Sequence, residues 1–132
     1  MDVGCNYVSG ETPTVMTFYS FTSTRGGLDA EMKDAIAQMK SRQPVAKEAP
    51  FMMPSANNSY RTYTLTYETV DGTKMRTSVL LGQEGRWLLK IRLTCRASDA
   101  QEAERVAGLA LIGQQDRLRT RPAPPNARPD PI

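Results

Sequence analysis

Histidine is absent from all 132 residues. That removes the usual general base, the usual nitrogen ligand for metals and the one side chain that titrates unperturbed near neutrality. A serine or cysteine nucleophile therefore lacks its ordinary activating partner, and no Ser-x-x-Lys spacing offers a lysine instead. Cysteine is nearly absent too. Cys5 and Cys95 are the only two, and neither sits in a Cys-x-x-Cys pair, so no zinc site is expected. They could close one disulfide in an oxidising compartment or stay two buried thiols in a reducing one. No apolar run approaches the roughly 20 residues that cross a bilayer, so no transmembrane segment is expected. Met1-Asp2-Val3-Gly4-Cys5 lacks the basic start and apolar stretch of a signal peptide. Gly26-Gly27 stands outside the GxGxxG and GxxxxGK contexts that cradle phosphates. Together these absences predict no enzyme, no cofactor and no metal.

What is present suffices for one core. Hydrophobic residues make up 39% of the chain, and a chain of this length fits a single domain. The net charge is only +3, but residues 59–96 carry seven bases against three acids. The imbalance suits an acidic partner and falls short of the dense basic stripe of a nucleic-acid binder. Asp29, Glu31, Asp34 and Glu48 are the candidate paired carboxylates, and at such spacing they read as a solvated face.

Periodicity organises the chain. Residues 2–8 and 14–22 read as strands joined by a turn at Ser9–Pro13, the second strand apolar on both faces: Val15, Tyr19 and Phe21 on one, Met16 and Phe18 on the other. Leu28, Met32, Ala35, Ile36 and Met39 form one stripe of an amphipathic helix over 28–42, stopped by Pro44. Residues 44–58 read as a linker with prolines at 44, 50 and 54. Three strands follow: Tyr60–Val70, a hairpin at Asp71-Gly72, Thr73–Leu81, a turn at Gly82–Gly85, and Arg86–Arg96. A capping box, Ser98 to Gln101, opens a helix that ends near Gly113, with Gln114–Arg119 left open as a further turn. The expected fold is α+β, an antiparallel sheet of about five strands packed with two helices in the order ββαβββα, the helices on one side. Residues 1–115 form the single domain and 116–132 a proline-rich disordered tail.

Three surface features stand out. Arg86, Lys90, Arg92 and Arg96 share one side of their strand, which Lys74 and Arg76 extend; the blander reading is a solvent-facing sheet surface. Phe51-Met52-Met53, bracketed by Pro50 and Pro54, joins Met16 and Phe18 in a candidate apolar contact patch. Its blander reading is a segment folded back as core. Cys5 and Cys95 share parity with core-facing neighbours, so a disulfide could clip the first strand to the last if those strands are adjacent, the blander reading being a pair of buried thiols.

The stretch from Tyr60 to about Gln115 combines a hairpin, the strand Gly85-Arg86-Trp87-Leu88-Leu89-Lys90-Ile91-Arg92-Leu93-Thr94, and Ser98-Asp99 opening a closing helix. In this order it resembles small bacterial cell-envelope proteins of unknown function. It also resembles the wider PsbP-like α/β sandwich group, which includes DcrB-like lipoproteins and the Eag-type chaperones of type VI secretion. The helix Leu28–Met39 after an aromatic strand fits the same plan. The resemblance covers most of residues 2–115 and brings no catalytic or ligand motif. It implies a non-enzymatic binding or accessory protein. The function expected is that of an accessory or scaffold protein, periplasmic or secreted, that binds a protein partner. A cytosolic chaperone or immunity-type inhibitor of a secretion system remains an alternative, as does a small-ligand binder. Homo-oligomerisation is left open.

Overall fold

The structure, a computed structural model, describes residues 3–8 (backbone alone), 14–22, 27–51 and 60–120. Val79, Leu80 and Leu81 follow one another in the chain, and each is fully buried. Successive strand residues point to opposite faces, so both faces of their strand must be covered. They sit in the fifth strand of the order β1 (Val3–Val8), β2 (Val15–Thr22), α1 (Leu28–Arg42), β3 (Lys47–Ala49), β4 (Tyr60–Glu68), β5 (Lys74–Glu84), β6 (Trp87–Arg96) and α2 (Ala100–Thr120). The sheet runs β1-β2-β6-β5-β4-β3, with every neighbouring pair antiparallel. The fold is α+β, with the expected order of strands and helices plus one short edge strand, β3, inside the segment read as a linker.

The helices take opposite faces, which corrects the one-sided packing expected above. Leu80 joins Leu89, Ile91, Leu93, Cys95 and Met16 beneath Ala103, Ala107 and Leu111 of α2. Val79 and Leu81 pack instead with Leu65 against Met32, Ala35 and Met39 of α1. Alternation alone cannot reveal this arrangement, because a strand buried on both faces shows a continuous apolar run. The α1 stripe lands as predicted: Met32, Ala35 and Met39 are buried, and Leu28 and Ile36 pack at the margin.

Turn chemistry shifts two boundaries. The β4–β5 connection spans Thr69–Thr73, with Val70 fully exposed at its tip and Gly72 at φ 84°. It is longer than a two-residue turn because the Asp71 carboxylate accepts from the Thr73 backbone and hydroxyl, at 3.2 and 2.9 Å, and from the Thr69 hydroxyl. Those hydrogen bonds, Thr69 first, hold the Asp71 carboxyl below its usual range. At the other end β5 continues to Glu84, and the turn is Gly85-Arg86, with Gly85 at φ 61°. A Cβ on Gly82 would lie 2.8 Å from the Gln115 amide of α2, so this glycine is a strand residue beneath a helix.

Helix α2 runs on through the further turn left open after Gly113. A 3-10 turn at Ala97–Asp99 takes the place of the Ser98 capping box. Gly113 lies on the outer side, and the helix continues to Thr120. Leu118 packs at the core margin, buried Gln115 donates to the Gln83 carbonyl at 3.3 Å, and Arg119 pairs with Glu84 at 3.0 Å. Residues 116–120 thus belong to the folded domain, which corrects the boundary set at 115; residues 121–132 lie outside the described ones. No described helix is long and apolar enough to cross a membrane.

Candidate functional site

The strand register sorts the predicted basic face. Tyr19 pairs with Lys90 and Thr17 with Arg92, while Arg92 in turn opposes Val79. Since Val79 packs beneath α1, Lys90 and Arg92 lie on the α1 face together with Val15, Thr17, Tyr19 and Phe21 of β2. Helix α1 covers β4 and β5 and borders this region through Gln38, which accepts from the Arg92 guanidinium at 3.0 Å. The result is a half-covered sheet face. Val15 is 44% exposed, and Thr17, Tyr19, Phe21, Lys90, Arg92 and Thr94 are half-buried. The Lys90 ammonium stands over the Tyr19 ring, 5.9 Å from its centroid, and the Thr94 hydroxyl lies 3.0 Å from that of Thr77.

Both cations are uncomfortable there. Desolvation, then repulsion from Arg92 and Arg42, lowers the Lys90 pKa against the opposing pull of Glu31 and Asp34. Desolvation, then Arg42, lowers that of Arg92. A lowered pKa means the charged form is under-stabilised, so a carboxylate placed beside the pair would relieve it. The other predicted members scatter. Arg86 sits in the β5–β6 turn, and Arg96 is exposed at the end of β6. Lys74 and Arg76 do not extend the basic face, because Arg76 pairs with Cys95 and both point toward α2.

The apolar patch likewise dissolves. Met16 is 1% exposed and Phe51 9%, and both belong to the core under α2, with Phe18 packed at its margin. Met52 and Met53 lie outside the described residues. Phe51 is held by a device that sequence reading missed. The buried Glu104 carboxylate accepts from Arg76 at 2.9 and 3.4 Å, and the same guanidinium donates to the Pro50 carbonyl at 2.7 Å. A signal for it did exist: Glu104 lies on the face of α2 that carries Ala100, Ala107 and Leu111.

The disulfide is overturned. β2 separates β1 from β6, and Cys5 lies across from Phe18, which pairs with Ile91 rather than Cys95. Two strand spacings and four residues put the Cα atoms roughly 16 Å apart, beyond the ~7 Å limit of a disulfide. Cys95 is a free, buried thiol. Burial, then the nearby Glu104 carboxylate and that of Asp99, push it up to about 11 against the pull of Arg76. At pH 8, alkylation of Cys95 should therefore run at least 100-fold slower in the native protein than in urea, read by peptide mass mapping. Because the folded value lies above the unfolded one, the unfolded chain loses this proton first as pH rises. Stability should decline between about pH 9 and 11. Labelling of native Cys95 as fast as in urea contradicts the buried placement.

No family model matches the chain, and no curated protein matches it. The crystal structure of PA94, a Pseudomonas aeruginosa protein of unknown function suggested to be a regulator, is similar over 96% of this chain and 85% of its own. The two share 12% identity at a TM-score of 0.46, too distant a likeness to carry an argument.

Proposed function

We propose that this chain is a non-enzymatic binding protein whose half-covered sheet face receives an acidic segment of a protein partner. One observation carries the reading: Lys90 and Arg92, two desolvated cations on neighbouring same-face positions, sit in a surface that α1 leaves partly open. Val15, Tyr19 and Phe21 give that surface an apolar rim. An open sheet face of mixed apolar and cationic character suits an extended peptide segment, whereas small molecules favour enclosed sites. Hydrogen bonds that involve a charged partner are worth ~1.5–3 kcal/mol each, so the two cations would supply much of the affinity and most of its salt dependence. An accessory role in the bacterial cell envelope is the setting that the resemblance implies, and we place the binding there on that ground.

A labelled ten-residue glutamate-rich peptide, titrated by fluorescence anisotropy, tests the reading. Wild-type protein should bind it, more weakly as salt rises. Lys90→Gln with Arg92→Gln should weaken binding at least tenfold while leaving the thermal transition cooperative, and Arg96→Gln should change it less than twofold. Equal binding by the double variant, or none by the wild type, would remove the proposal.

A further inference from the structure

The outer face of α2 bears an apolar stripe that the described residues do not cover: Val106, Leu109 and Ile112 are 37%, 57% and 39% exposed. Charges of both signs flank it. Glu102 pairs with Arg105 at the N-terminal end, at 3.0 Å. At the C-terminal end Arg119 lies 3.8 Å from Asp116 while its guanidinium also holds Glu84 of β5 at 3.0 Å. Residues 102, 105, 109, 112, 116 and 119 alternate steps of three and four, the spacing of a coiled-coil seam.

We propose that the chain self-associates through this seam, two copies of α2 packing antiparallel about a two-fold axis between Leu109 and Ile112. A two-fold contact must be self-complementary, and the sequence of α2 meets that demand in one register. With the axis there, Leu109 faces Ile112 of the second copy, Arg105 faces Asp116, and Glu102 faces Arg119. Every charged position on the seam meets its opposite, and each contact occurs twice. Moving the axis onto Leu109 sets Glu102 against Asp116, acid against acid, so the charges also select the register. Gly113 beside the seam has open space around it, and no side chain there holds a partner away. The contact is small. A seam of 18 residues is about 27 Å long with only Leu109 and Ile112 apolar along it, so the self-association is expected to be weak and is to be sought at high chain concentration.

Charge reversal in separate chains provides the test, read by sedimentation equilibrium on the full chain up to about 1 mM. Arg105→Glu sets a new carboxylate against Asp116, and Asp116→Arg sets a new guanidinium against Arg105; each variant alone should self-associate at least tenfold more weakly than the wild type. Mixed in equal amounts, the two are complementary across the seam and should regain wild-type association as a heterodimer. Both positions are exposed, so the thermal transition should hold in each. The proposal stands apart from the peptide-binding reading, because Lys90→Gln with Arg92→Gln should leave self-association unchanged. A wild type that stays monomeric at 1 mM overturns it and leaves the stripe to a different partner. Single variants that associate like the wild type, or a mixture that fails to recover, overturn it as well.

Discussion

Replacing Glu104 by alanine should destabilise the protein by about 3–5 kcal/mol, since breaking a buried ion pair from one side strands the remaining charge. The Glu104 side chain is fully buried and that of Arg76 only 11% exposed, so neither is well served by water. The loss would be a large share of the ~5–15 kcal/mol that holds a domain of this kind together. Arg76 also fastens the Pro50 carbonyl, so its disturbance should loosen Phe51 from the core under α2. Urea denaturation, with proteolysis near residue 50 as a second readout, measures both effects.

The double variant Arg76→Met with Glu104→Leu separates the worth of the pair from the harm of breaking it. Apolar replacement of a buried pair is commonly neutral or better, and here the Pro50 carbonyl would still lose its donor, at about 1 kcal/mol. The double variant should therefore be more stable than Glu104→Ala by at least about 2 kcal/mol. A cost below about 1 kcal/mol for Glu104→Ala would mean that the carboxylate is neither buried nor paired as described.

Local order was legible where a single period dominates. The α1 stripe from Leu28 to Met39 and the alternation of Trp87 to Arg96 each follow from one face meeting the core. What alternation cannot report is which layer each face meets. Lys90 and Arg92 read as a solvent-facing stripe because their neighbours across the strand, Leu89, Ile91 and Leu93, were plainly core. Nothing local says that α1 would border the opposite face. Arg76 was misplaced for a related reason: its parity on β5 was visible, but the register that sets it beside Cys95 is a long-range property. The disulfide failed on topology as well. Cys5 and Cys95 share a plausible parity, yet chain order does not reveal that β2 lies between their strands.

The two-faced sheet makes its own demand at Leu80 and Leu81. If both helices packed on one side, one of these neighbours would face solvent, and its truncation would cost little. Both are fully buried, in separate clusters. Leu80→Ala and Leu81→Ala should each destabilise by about 2–5 kcal/mol, the range for deleting a buried leucine side chain and leaving a cavity. Because the two cavities lie on opposite sides of β5 with few shared neighbours, the costs should add to within about 0.5 kcal/mol in a double variant, provided it still folds. Leu80→Val with Leu81→Val keeps the measurement within range if the alanine pair does not fold. A cost below about 1 kcal/mol at either position, under a cooperative urea transition, would place one face of β5 in water and return the fold to two layers.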